Sequence, residues 1–215
     1  MPSLTDEPYA DIISRLPVGQ HSVRVKAANW QQHFKKYDLS DEFNVIFGGE
    51  PEVRLSRVEL QSRSSSEARR KHLEVLLWGY PSGMQGKHHI KYLCNIDEIA
   101  SLELSEFSWD GYFSKLNEIK GLGLSTITKI AYFNELSFDG HRALILDGRV
   151  IEVIDSGLWT ELSSLNGITY SNAKAKYLDY LQVMHRTAKS LDATGDQLEL
   201  FLFALGGAFK GIVKS

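Results

Sequence analysis

One stretch constrains the fold more than any other. Residues 116–131 read LNEIKGLGLSTITKIA, with a single non-glycine residue, Leu122, between Gly121 and Gly123. The apolar residues before and after it fall at helical spacing, so the chain must run helix, tight turn, helix. Two glycines in so short a turn allow backbone conformations and close approaches that a Cβ would block. Ser125 and its neighbours then open the second helix, whose first N–H groups and positive dipole end can hold one phosphate. Ile119, Leu122, Ile127 and Ile130 are expected to lock the two helices together. A glycine-terminated helix joined to another in an ordinary α-bundle would leave the same trace.

The rest of the chain reads as mainly α. A helix expected at 26–37 is flanked by short extended segments at His21–Val25 and Asn44–Phe47, the latter stopped by Gly48, Gly49 and Pro51. Ser64 and Glu67 stand at capping-box spacing and open a helix that runs to about Trp78. Further helices are expected at 96–104, 109–119, 125–135, 148–155, 171–191 and 197–208. This pattern divides the chain into a small mixed N-terminal region, 1–60, and a helical domain, 61–215, with the hairpin at 109–135.

Composition excludes several classes. The chain has 215 residues, 43% hydrophobic and 24% charged, which suits a folded globular protein rather than a disordered one. No apolar run approaches the ~18 residues of a membrane helix, and the first residues carry no secretory signal pattern. Cys94 is the single cysteine. An internal disulfide, an iron–sulfur cluster and a cysteine-rich zinc site are therefore ruled out, no metal or other cofactor is expected, and a reducing cytoplasm fits. Free cysteine is usually buried, and Cys94 is expected to be so. The net charge of −3 argues against strong non-specific binding to nucleic acid. One stretch is locally basic: Arg63, Arg69, Arg70, Lys71, Lys87 and Lys91, with three histidines. It reads equally as a solvated helix face and as a phosphate-facing patch.

After the second hairpin helix an apolar run, Ala143–Leu146, delivers Asp147 at the start of a helix, where Asp is first of all an N-cap. Near the C-terminus Gln197 and Phe201 lie four residues apart on one helix face. Alone they read as a surface amide and a core aromatic. Together with the glycine hairpin and Asp147, the chain resembles the helix-hairpin-helix DNA glycosylases, and within them the 8-oxoguanine DNA glycosylase fold group of short bacterial, defence-associated type. The resemblance spans about residues 64–210 and is strongest at 116–153.

The resemblance implies a set of roles. Gly121, Leu122, Gly123 and Ser125 would hold a DNA phosphate. Asp147 would stabilise the developing sugar cation. Gln197 would read the Watson–Crick edge of a flipped guanine-type base, and Phe201 would stack on it. The partner is then duplex DNA with a damaged or modified guanine. Bifunctional members carry a nucleophilic Lys just after the second hairpin glycine, and here the glycine-aligned residue is Ser125. Lys129 lies one turn further, about 6 Å along the same face. It precedes Asp147 by 18 positions, against 22 for Ser125, and the family spacing is nearer the former. As a nucleophile Lys129 would have to be neutral, which requires burial, and Ser125 would then matter little. As a spectator it would be a solvated mid-helix lysine. The alternative to an enzyme is a non-cleaving module that recognises a guanine-like base inside a multi-protein anti-phage defence system, with protein partners from its operon.

Overall fold

A computed structural model describes residues 2–83, 92–102, 108–119, 122–206 and 208. In chain order the first elements are α1 (Tyr9–Ser14), β1 (Ser22–Lys26), α2 (Gln31–Lys36), α3 (Ser40–Phe47), β2 (Glu52–Ser56), α4 (Arg57–Ser62) and α5 (Ala68–Gly79). Then come α6 (Ile96–Ser101), α7 (Trp109–Glu118), α8 (Leu124–Phe133), β3 (Ser137–Phe138), β4 (His141–Arg142), α9 (Gly148–Asp155), α10 (Tyr177–Ser190) and α11 (Gly195–Phe201). The protein is mainly helical, as its sequence pattern predicts. Among the described residues no helix is long and apolar enough to cross a membrane.

Contacts group the chain into two compact units: Gly19–Asn134, and Met1–Val18 with Glu135–Ser215. This grouping follows packing, whereas the division at residue 60 followed the change in sequence pattern.

In the Gly19–Asn134 unit, β1 and β2 pair antiparallel with Ser22 opposite Ser56 and Lys26 opposite Glu52. The predicted extended segment Asn44–Phe47 is instead the end of α3. Asp41 and Glu42 sit in its first turn, where acidic side chains favour the helix dipole. Gly48 closes it in the left-handed conformation, φ 58°. The helix signal at Ser64 holds: a capping box with Glu67 leads through a short 3₁₀ turn into α5. A second capping box, Ser56 with Glu59, starts α4. Cys94 is exposed, contrary to expectation, because its neighbours Leu93 and Ile96 take the inward positions.

In the other unit, Leu4, Ile13, Trp159, Tyr177, Tyr180, Leu181, Leu198 and Phe201 are buried. The N-terminal residues are fastened to the 3₁₀ segment Thr160–Leu165: the Ser3 hydroxyl and the Leu4 N–H both donate to the Glu161 carboxylate. The expected helix at 171–191 begins at Tyr177, and the last expected helix is α11 followed by a π-helical turn, Leu202–Gly206.

Candidate functional site

The hairpin lies in the Gly19–Asn134 unit. Ser108 caps α7 by accepting from the Gly111 N–H at 3.3 Å. The chain turns after Ile119, whose carbonyl accepts from the Leu122 N–H at 3.2 Å. Gly123 is the N-cap of α8, exposed, with no side chain capping the helix. Its φ of −85° is one that any residue adopts, so the backbone at this position does not itself require glycine. Gly121 lies outside the described residues. The expected lock is present: Ile119, Leu122, Ile127 and Ile130 are each at most 4% exposed, and the Tyr112 hydroxyl on α7 donates to the Ile127 carbonyl on α8.

Helix α8 is buried almost all round, and Lys129 is buried with it at 6% exposure. The side chain folds back along its own helix. Its Nζ donates to Ser125 Oγ at 2.6 Å and lies 3.4 Å from the Ser125 carbonyl. The amine of Lys129 therefore stands one hydrogen bond from the glycine-aligned position that Ser125 occupies. Across from the lysine stem lies Gly79, at the end of α5. A Cβ there would come within 3.2 Å of Lys129 Cδ and 3.5 Å of Cε. Nearby, the Tyr80 and Thr126 hydroxyls are 3.0 Å apart.

The described part of the basic stretch is bound up in ion pairs. Glu74, 1% exposed, accepts from Arg63 Nε and Nη2 at 2.8 and 3.0 Å and from Arg70 Nε at 2.9 Å. Arg69 bridges Glu42 at 2.9 Å and Asp97 at 2.7 Å. Lys87, Lys91 and the histidines between them lie outside the described residues. Of the two readings of Arg63–Arg70, the structure therefore favours a helix face tied down by carboxylates.

Sequence reasoning missed a buried cation in the same unit. Arg57 is 1% exposed, with its guanidinium 5.4 Å from the Trp78 ring centroid and 5.0 Å from that of Tyr132. It donates to the Tyr132 hydroxyl and to His21 Nδ1, each at 3.2 Å. Burial, and then the charge of Arg57, lower the pKa of His21 to about 4. Burial and the neighbouring Lys71 lower that of His72 to about 4 as well. Periodicity gives no sign of these groups, since charged residues read as surface.

Asp147, Gln197 and Phe201 lie in the other unit. The run Ala143–Leu146 is buried without being a strand. Tyrosines of α10 hold its backbone: Tyr177 donates to the Leu144 carbonyl at 2.7 Å and Tyr180 to the Ile145 carbonyl at 2.9 Å. The run so fixed delivers Asp147 as the N-cap of α9, accepting from the Arg149 and Val150 N–H groups at 3.0 and 3.2 Å. The Arg149 guanidinium lies 5.0 Å from the Phe203 ring centroid.

Gln197 is the third helical residue of α11 and closes a capping box with Thr194. Its Nε2 donates to the Ser14 carbonyl at 2.6 Å and to the Leu16 carbonyl at 3.3 Å. Phe201 is fully buried, edge-on to Trp159 and Tyr9 with centroids 5.8 and 6.4 Å apart. Both residues thus turn to the N-terminal segment around α1. The start of α11 is packed closely on α10: a Cβ at Gly195 would meet the His185 ring at 2.7 Å. Among the described residues no group of three His, Cys, Asp or Glu side chains is placed to hold a metal ion.

The Gly19–Asn134 unit holds a hairpin with an uncapped, exposed helix start and a buried lysine returned to that start, and the other unit holds an Asp-capped helix after a buried run. Comparison with curated proteins and with solved structures gives no match. A family model described as "Putative 8-oxoguanine DNA glycosylase OGG-like protein" matches residues 16–203, from the strand pair to the helix that carries Gln197 and Phe201, and with most of its length matched the chain belongs to this OGG-like family.

Proposed function

We propose that the protein is a DNA N-glycosylase that flips a guanine-type base, such as 8-oxoguanine, from the duplex and releases it, with strand cleavage as a second step. One observation carries the reading: within the OGG-like match, a buried lysine holds its amine beside the residue where bifunctional glycosylases of this type carry their nucleophile. In the neutral form Lys129 attacks the sugar C1′. The C1′–N9 bond breaks, the base leaves with a proton, and the amine becomes a Schiff base with the opened sugar. Elimination of the 3′ phosphate from that Schiff base gives the lyase step. Asp147 supplies the anion that stabilises the sugar cation. The exposed N-terminus of α8, with Gly121, Leu122, Gly123 and Ser125, holds the neighbouring phosphate.

Gln197 reads the edge of the extruded base and Phe201 stacks on its face. Both roles require the N-terminal segment to leave their face of α11, since Ser14 and Leu16 take up the amide and Tyr9 and Trp159 flank the ring. The work is done in the cytoplasm without metal or cofactor.

Borohydride trapping on a panel of lesion-bearing duplexes tests this reading. Wild type is expected to form an adduct with an oxidised-guanine duplex, and Lys129→Gln to form none while binding the duplex nearly as well. Gly123→Leu should weaken binding to every sequence alike. Absence of an adduct and of base release on all lesions overturns the enzyme reading. The pairing of Arg63, Arg69 and Arg70 with carboxylates favours a second one: a non-cleaving module that recognises a guanine-like base within an anti-phage defence assembly. Binding without release on the same panel would select it.

A further inference from the structure

We infer that Ser125 and Gly79 are positioning residues for Lys129, so that the serine at the glycine-aligned place is part of the nucleophile's machinery and not its replacement; this rests on the proposed reading of Lys129. Three observations carry it. Lys129 Nζ sits 2.6 Å from Ser125 Oγ, a short hydrogen bond for a charged donor. Left to itself a lysine stem has several rotatable bonds, and the fold-back removes that freedom. The stem is confined on its other side by Gly79, where one added methyl group would stand 3.2 Å from Cδ. Gly79 has no need of glycine for its backbone, since its φ is not in the left-handed region. What its missing Cβ provides is the width of the slot through which Lys129 passes. The end of α5 and the first turn of α8 thus fix the amine from two sides.

The hydroxyl also suits both protonation states. It accepts from the ammonium and donates to the neutral amine. When the ammonium loses its proton, the same pair keeps one hydrogen bond with the direction reversed, and the amine stays in place with its lone pair held by the Ser125 O–H. Breaking the hydrogen bond then exposes that lone pair for attack. An alanine at 125 offers neither contact.

Two measurements test the inference, one of them independent of any activity. In ¹⁵N correlation spectra of lysine-labelled protein, the Lys129 NH₃⁺ group is expected to be protected and visible. It should be lost in Ser125→Ala and kept in Ser125→Thr. On a duplex carrying an abasic site, single-turnover trapping should fall roughly ten- to a hundredfold in Ser125→Ala, as for a lost charged hydrogen bond and a misplaced nucleophile. Ser125→Thr should restore it. Gly79→Ala should lower the trapping rate in the same way, because its Cβ would stand 3.2 Å from Lys129 Cδ and push the stem aside. Duplex affinity should not change in Gly79→Ala. A Lys129 signal that is absent in wild type, or indifferent to Ser125→Ala, overturns the positioning role whatever the enzyme does. A wild type that traps, a Lys129→Gln that does not, and a Ser125→Ala at the wild-type rate would overturn it while sparing the proposed function. A wild type that never traps, with the protected signal present and sensitive to residue 125, would overturn the proposed function and leave the contact as a fold feature only.

Discussion

The side-chain amide of Gln197 donates to the main-chain carbonyl of Ser14 at 2.6 Å, tying α11 to the end of α1 across 183 positions of sequence. The same side chain accepts from the Thr194 N–H at 2.8 Å as half of a capping box. Gln197→Ala removes both, taking a donor from the Ser14 carbonyl and the acceptor from the Thr194 N–H, while the Leu16 carbonyl keeps the Val18 N–H. The expected cost is about 1–3 kcal/mol of stability, read from urea melts. Gln197→Glu keeps the cap but puts a carboxylate against the Ser14 carbonyl, and should be destabilised too. An unchanged midpoint in both variants would remove the structural role.

Phe201 separates packing from recognition by the size of the replacement. Phe201→Ala empties a fully buried site between Tyr9 and Trp159 and should cost about 3–5 kcal/mol. Phe201→Leu keeps most of the volume and should fold. If Phe201 stacks on an extruded base, the leucine variant loses roughly 1–3 kcal/mol of affinity for a lesion-bearing duplex and little for undamaged DNA. Equal losses on both duplexes, measured by fluorescence anisotropy, would make Phe201 a core residue only.

Asp147 has a structural duty that asparagine can perform and a proposed chemical duty that it lacks the charge for. Asn is as good an N-cap as Asp, so Asp147→Asn should melt within a few tenths of a kcal/mol of wild type, whereas Asp147→Ala should lose about 1 kcal/mol. Base release should fall by orders of magnitude in both. An Asp147→Asn that releases base at the wild-type rate would leave Asp147 as a cap alone.

Acid should weaken the fold through His72. Its pKa falls from 6.5 to about 4 on folding, first because it is buried and then because Lys71 is close. Between those values the unfolded chain binds the proton and the folded chain does not, so stability rises with pH. The stabilisation is fully present above pH 6.5 and is lost as pH falls towards 4. His21 shifts in the same direction and adds to the effect. Thermal melts from pH 7 to 4 should show a falling midpoint, with a shallower slope in His72→Leu. A wild-type slope in that variant would exclude His72 as the cause.

The sequence by itself determined the helical architecture around the hairpin. The spacing of Ile119, Leu122, Ile127 and Ile130, the Ser64–Glu67 box and the Asp147 cap are local signals, set within one or two turns of chain, and the structure carries each of them. Asn44–Phe47 went the other way because three apolar residues in a row fit a strand or a helix equally, and the acidic first turn and Gly48 decided for the helix. Only the tertiary structure decided the surroundings of Lys129, the carboxylates of Glu74 on Arg63 and of Glu42 and Asp97 on Arg69, and the burial of Arg57. A lysine, an arginine and a glutamate look solvated in any one-dimensional pattern. Whether they are depends on which helix arrives from elsewhere in the chain to cover them, as α5 does for Lys129 through the missing Cβ of Gly79. The N-terminal segment gave no legible sign that it would fold onto α11, because its contacts with Gln197 and Phe201 run through backbone carbonyls and ring edges, which no sequence spacing encodes.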